Sequence, residues 1–199
     1  MIETVVYAAQ IPDGDISDPL YPPERQAEID GISREGVKRE KYFVWKLLEY
    51  AVVSTLGVSI EELSFKKLPS RKWISDKICF SLSHTDGVVA VAISHRPVGV
   101  DVEKIRPHRE GLERSILTKK ELAQLSATAP EDLWEQIIRL WTQKESIFKA
   151  GDGEIFEPTK IETAEYSVKT EMLSFDGENF MLSVCAYDAE DAKIELCKL

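Results

Sequence analysis

Two carboxylates stand two residues apart in Val98-Gly99-Val100-Asp101-Val102-Glu103. The alternating valines predict a strand with Val98, Val100 and Val102 on one face and Gly99, Asp101 and Glu103 on the other. Carboxylates at i and i+2 project the same way with Cα atoms roughly 6.5–7 Å apart, close enough to share one cation. Gly99 would leave room beside them for a ligand. The same pattern also fits an ordinary solvated strand face. A third carboxylate stands out further along the chain. Between residues 133 and 149 an apolar stripe runs through Trp134, Ile137, Ile138, Trp141 and Phe148, and its empty slot is filled by Glu145. A buried carboxylate takes up a proton unless a cation compensates it. Lys149, one helical turn on, is such a cation, which leaves a plain Glu–Lys pair as the competing reading. A metal shared with Asp101 and Glu103 would compensate Glu145 more strongly.

His84 completes the group. With residues 77–83, 88–94 and 98–103 read as a three-strand meander, the end of the first strand and the end of the third share one sheet edge. His84 and Ser83 then fall on the same rim as Glu103. A lone turn histidine is also a common surface feature. Three oxygen ligands with a histidine and nearby lysines suit Mg²⁺ bound together with a phosphate, because Mg²⁺ takes few carboxylates and completes its shell with phosphate and water.

The elements that must position these groups are legible in outline. A strand is predicted over 4–9, then a Pro-, Asp- and Gly-rich loop over 11–23. Apolar residues at intervals of three and four (Val37, Phe43, Val44, Leu47, Leu48, Ala51, Val52, Leu56) predict a helix over 33–56, stopped by Gly57. His84-Thr85-Asp86-Gly87 is a hairpin signal between the first two meander strands. A helix is predicted over 131–150, and strands over 160–166, 169–175 and 179–187. Each half thus offers one long helix and several strands, an α+β arrangement.

Composition removes whole classes of function. The chain has 199 residues, 43 % apolar and 30 % charged, enough for a folded core. With 25 basic against 35 acidic residues its net charge is −10, so it lacks the footprint of a nucleic-acid binder. The best apolar run, 88–93, is far too short to span a membrane. The start Met1-Ile2-Glu3-Thr4 lacks a basic region and a long apolar run, so a soluble, cytoplasmic protein is expected. Three widely spaced cysteines, Cys79, Cys185 and Cys197, fit a reducing compartment, and with three histidines any metal should be hard and oxygen-ligated.

Taken together the motifs resemble those of the 4′-phosphopantetheinyl transferases. Phe80-Ser81-Leu82-Ser83-His84-Thr85, Gly99-Val100-Asp101-Val102-Glu103-Lys104 and Trp141-x-x-Lys144-Glu145-Ser146-x-x-Lys149-Ala150 occur in the family's order, and the likeness covers residues 72–153. The length is similar to that of the larger, single-chain, surfactin-synthetase-activating type. The resemblance implies Mg²⁺-dependent transfer of the phosphopantetheine arm of coenzyme A to a serine of an apo acyl or peptidyl carrier protein, with release of adenosine 3′,5′-bisphosphate. It implies a monomer built as a pseudo-dimer of two α+β halves, 1–97 and 98–199, with the active site between them. By the same resemblance Asp101, Glu103 and Glu145 are the metal ligands, Glu145 is also the base for the serine proton, and Lys149 meets the pyrophosphate. His84 and Ser83 lie near the 3′-phosphate, and Lys72 meets a coenzyme A phosphate. Arg25 is preferred over Lys38, Arg39 and Lys41 for the N-terminal contacts. Two departures stand out: Ser70-Arg71-Lys72-Trp73 replaces Gly-Lys-Pro, and Lys149-Ala150-Gly151-Asp152-Gly153 is one residue tighter than usual.

The alternative of the same fold is a non-catalytic coenzyme A or carrier-binding module, which would be free to lose Asp101, Glu103, Glu145 or Lys149; all four are present. An unrelated Mg²⁺ enzyme acting on nucleotides would need a glycine-rich phosphate loop, which the sequence lacks. The basic stretch Lys104-Ile105-Arg106-Pro107-His108-Arg109 is expected to complement an acidic carrier helix. Reversing Arg106 and Arg109 to Glu should raise the carrier KM far more than the coenzyme A KM, and equal effects on both would refute that role.

Overall fold

A computed structural model describes residues 3–106, 111–126 and 128–199. In chain order the elements are β1 (Val5–Gln10), α1 (Pro23–Asp30), α2 (Glu35–Leu56), β2 (Phe65–Lys67), β3 (Trp73–Ser75), β4 (Cys79–Thr85), β5 (Val88–Ser94) and β6 (Val98–Lys104). They continue with α3 (Glu113–Ile116), α4 (Lys119–Leu125), α5 (Pro130–Ala150), β7 (Val168–Phe175), β8 (Glu178–Ala186) and β9 (Lys193–Lys198). Among the described residues no helix is long and apolar enough to cross a membrane.

The periodic apolar positions of α2 become its buried stripe: Phe43, Val44, Leu47, Leu48, Ala51 and Val52 all leave solvent. Gly57 ends the helix with φ 68°, a left-handed turn that suits a residue without Cβ. The stripe packs on one face of a four-stranded sheet ordered β4-β5-β1-β9, against Tyr7, Ala9, Val89, Val91 and Ile93. That sheet's other face, Val6, Ala8, Val88, Ala90 and Ala92, packs on Val98, Val100, Val102, Leu182 and Val184 of a three-stranded sheet ordered β6-β8-β7. With sheets on one side and α2 on the other, β5 is buried along its whole length. The helix α5 lies across β6 and β8. The fold is α+β, with small and mostly antiparallel sheets.

The expected meander is half correct. β4 and β5 form a hairpin closed by Asp86 and Gly87, both at positive φ. β6 does not extend it. The free edge of β5 is taken by β1 in an antiparallel pairing from Val5↔Ile93 to Gln10↔Val88. β6 therefore pairs with β8, placing Asp101 opposite Ser183 and Glu103 opposite Met181. It still lies beside β4, joined by side chains rather than by a backbone ladder. Val100 N–H donates to Ser81 Oγ at 3.0 Å and Val102 N–H to Ser83 Oγ at 3.2 Å. Serine hydroxyls thus stitch the edge strands of two sheets together.

Two further expectations are corrected. Residues 160–166 form no strand; they span the end of one short 3₁₀ turn, Pro158–Lys160, and all of a second, Thr163–Glu165. Pro158 lacks a donor for a ladder and starts the first of them. Among the described residues α1, β3, α3, α4 and β9 went unread; α1 opens on Pro23, and β9 runs parallel to β1. By sequence β9 belongs to the second half, yet by hydrogen bonding it belongs to the first sheet. Finally, Gly99 makes no room for a ligand. A Cβ built there would lie 1.9 Å from the Ser146 carbonyl oxygen and 2.5 Å from the Ala150 nitrogen, so the backbone of α5 fills that space.

Gly99→Ala should therefore push α5 off β6. The expected cost is about 1–3 kcal/mol or more, the range for overpacking a core, with a melting temperature lower by several degrees. A wild-type melting curve would show that α5 is not seated there.

Candidate functional site

The seam between β4 and β6, closed by α5, gathers the polar groups singled out above. Asp101 is buried, and its Oδ1 accepts from Ser83 Oγ at 2.8 Å and from Lys149 Nζ at 2.7 Å. Its Oδ2 is buried without a hydrogen-bond partner among the described residues. Glu103, one pleat along, accepts from Thr85 Oγ1 at 3.2 Å and Trp141 Nε1 at 3.4 Å. From α5, Glu145 Oε2 stands 4.0 Å from Lys149 Nζ. The structure thus brings Asp101, Glu145 and Lys149 together around one ammonium, with Glu103 on the same strand face.

Their electrostatics show mutual strain. Burial pushes Glu145 up to about 7; Lys149 opposes this, while the charges of Asp101 and Glu103 add to it. Burial raises Glu103 as well, followed by the charge of Asp101 and opposed by its two hydrogen-bond donors and Lys149. Among the described residues no three His, Cys, Asp or Glu side chains already form a metal cage. The group is nevertheless short of positive charge. An orphaned buried carboxylate oxygen and two carboxyls driven toward neutrality are what a hard cation with oxygen ligands would satisfy.

Beside this group lies a cavity of ≈ 660 Å³. Its walls carry Arg25, Lys41, Lys67, Arg71, Lys72, His84 and Lys149, against Glu28 and Glu154, with Trp73, Phe80 and Phe148 as apolar surface. In a chain of net charge −10 this is a concentrated cationic lining suited to a polyanion with an apolar part. Several of these cations are already engaged. Arg25 is built into the wall: its guanidinium donates to Glu28 at 3.0 Å and to the Lys41 carbonyl at 2.9 Å, and stacks on Trp45. Lys72 Nζ donates to the carbonyls of Lys149 at 2.9 Å and Gly151 at 3.3 Å, capping the negative end of α5. Ser83 serves Asp101 and the β6 backbone. Arg39 ties down the N-terminal loop through the carbonyls of Pro12 and Gly14. In the basic stretch after β6, Lys104 pairs with Glu178 and Arg106 with Asp86, while Pro107, His108 and Arg109 lie outside the described residues.

Thr85 and Trp141 stood in the motifs without a role, and the structure makes them the donors to Glu103. The alternation Ser81, Ser83, Thr85 along β4 was the available signal, since it puts three hydroxyls on the face that meets β6. Lys144 likewise stood in the motif without a role, and it is fully buried. Lys144 Nζ lies 2.7 Å from Glu121 and donates to the carbonyls of Pro158 at 2.8 Å and Ile161 at 2.6 Å. Glu121 is itself held by the Thr118 N–H as the capping box of α4. This satisfied pair locks the rotation of α5, so that the next residue, Glu145, faces the seam.

A family model described as the 4′-phosphopantetheinyl transferase superfamily matches residues 97–197, from β6 through β9. The chain is 30 % identical over 105 residues to the 4′-phosphopantetheinyl transferase gsp of Aneurinibacillus migulanus, covering 52 % of this chain and 44 % of that protein. It is 29 % identical over 109 residues to the 4′-phosphopantetheinyl transferase AcpT of Escherichia coli strain K12, covering 53 % and 55 %. With AcpT of Salmonella typhimurium strain LT2 it shares 31 % over 132 residues, covering 65 % and 67 %. The chain spans about half the length of the first two of these curated relatives.

Lys144→Met should cost about 3–5 kcal/mol in denaturant unfolding, because it leaves Glu121 buried without its cation. Adding Glu121→Gln should recover part of that loss. Additive destabilisation by the two changes would contradict a coupled pair.

Proposed function

The chain belongs to the 4′-phosphopantetheinyl transferase superfamily, and on that premise we propose that it moves the 4′-phosphopantetheine arm of coenzyme A to a serine hydroxyl of an apo acyl or peptidyl carrier protein. The serine oxygen bonds to the phosphorus that carries the pantetheine, the phosphoanhydride P–O bond breaks, and adenosine 3′,5′-bisphosphate leaves with the bonding electrons. The observation that carries the reading is Lys149 placed between Asp101 at 2.7 Å and Glu145 at 4.0 Å, beside a cation-lined cavity.

Each residue has a role set by its surroundings. Glu145, on α5 with its Oε2 4.0 Å from Lys149 Nζ at the seam, is the carboxylate that takes the serine proton in this reading. Lys149 neutralises charge on the departing phosphate from a position fixed by α5. Lys41, Arg71 and His84 face the remaining phosphates from the cavity wall, where Lys67 is paired with Glu28 at 3.0 Å. Arg25 and Lys72 act by holding that wall and the end of α5 in place.

A divalent ion, Mg²⁺ in this reading, would be held by Asp101, Glu103 and Glu145, where the orphaned Asp101 Oδ2 and the raised carboxyls fit it. When bound it supplies charge neutralisation at the pyrophosphate.

Incubating the protein with coenzyme A, Mg²⁺ and a panel of apo carriers should add one phosphopantetheine arm to a carrier serine, read by intact mass. Glu145→Gln should lower the rate at least about 100-fold, the scale of general base catalysis, with little change in melting temperature. Asp101→Ala should lower the rate and raise the Mg²⁺ concentration needed for half activity. Unmodified carriers throughout would sink the reading, and wild-type turnover by Glu145→Gln would sink the role of that residue.

A further inference from the structure

We propose that Glu40 is a positioning residue for His84, holding the Nδ1 side of the imidazole so that Nε2 is the nitrogen presented to an anionic oxygen of the ligand in the cavity. The inference rests on the reading of that cavity as the coenzyme A site. His84 Nδ1 lies 3.1 Å from Glu40 Oε2, with the two side chains 31 % and 23 % exposed. His84 lines the cavity and comes from the rim of β4, whereas Glu40 comes from α2 and is not among the residues that line it. An imidazole carries its two nitrogens on different sides of the ring. With Nδ1 committed to a carboxylate, Nε2 is left for the cavity, and the tautomer is no longer free.

Charge makes the arrangement useful. Burial, Lys149 and Lys41 all work against a proton on His84, and Glu40 is the group that opposes them. Without Glu40 a neutral ring could turn a lone pair toward a phosphate oxygen, which repels it. With Glu40 in place, Nδ1–H is bound to the carboxylate, and a phosphate oxygen arriving at Nε2 draws a second proton onto the ring. The imidazolium then lies between two anions, each accepting one charge-assisted hydrogen bond. Carboxylates that orient a ligating histidine from behind change ligand affinity by about 10–100-fold in metal sites, which sets the scale expected here.

The test is calorimetric binding of coenzyme A to the wild type, Glu40→Gln, His84→Ala and the double variant, with melting curves showing that all four are folded. Glu40→Gln should weaken binding about tenfold, and in the His84→Ala background the same change should cost almost nothing. An equal loss in both backgrounds, or no loss in either, overturns the proposal. A second arm does not depend on the ligand. Nitrogen-15 shifts of the His84 ring in the ligand-free protein should report Nδ1–H in the wild type and lose that preference in Glu40→Ala; identical spectra overturn the proposal. If the wild type fails to bind coenzyme A at all, the functional reading falls, and the ring shifts still decide whether Glu40 sets the tautomer.

Discussion

The contact on which the rest depends is the seating of α5 against β6 at Gly99. The Ser146 carbonyl and the Ala150 nitrogen occupy the volume where any other residue would carry its Cβ. That approach brings Lys149 to 2.7 Å from Asp101 and Glu145 to 4.0 Å from Lys149. A helix one side chain further from the strand would leave an acidic strand face and a Glu–Lys pair on a helix with nothing in common. The same helix is fixed from its other side by the buried Lys144–Glu121 pair and at its end by Lys72. Three contacts of different kinds thus define one rigid placement.

The second determinant is the seam between two sheets. A backbone ladder between β4 and β6 would have made one continuous sheet with ordinary edges. Ser81 and Ser83 instead accept the β6 N–H groups through their hydroxyls. Ser83 serves twice, since the same oxygen donates to Asp101. The structural stitch and the orientation of the Asp101 carboxylate are therefore one hydrogen-bond network, which is why the acidic group sits at the junction of the sheets. Charge follows the same geometry: an acidic protein gathers six of its 25 lysines and arginines around one cavity and places carboxylates beside it.

Local patterns were readable because local physics sets them. The stripe of α2, the stripe of α5, the Asp86-Gly87 turn and the alternation in β4 and β6 all follow from spacing along the chain. The D-x-E pair and the Glu145 slot were readable for the same reason. Partners were not. β6 has the pattern of a strand wherever it pairs, and that β1 takes the edge of β5 is a fact about residues about 85 positions away in sequence. β9 is short and pairs with the first strand from the far end of the chain, so no turn announces it. Gly99 illustrates the limit best. The missing side chain was visible in the sequence, but whether the space served a ligand or a helix backbone depended on where α5 lands. Lys144 was unreadable for the opposite reason: a charged residue is expected at the surface, and only the carbonyls of Pro158 and Ile161 with Glu121 make its burial tolerable.

The most direct test is a crystal structure of the protein with coenzyme A and Mn²⁺, with the metal located by its anomalous scattering. One peak in contact with carboxylate oxygens from both β6 and α5, next to the ligand's pyrophosphate, is the predicted result. A metal held by one element alone, or ligand phosphates bound away from Lys149, would contradict it.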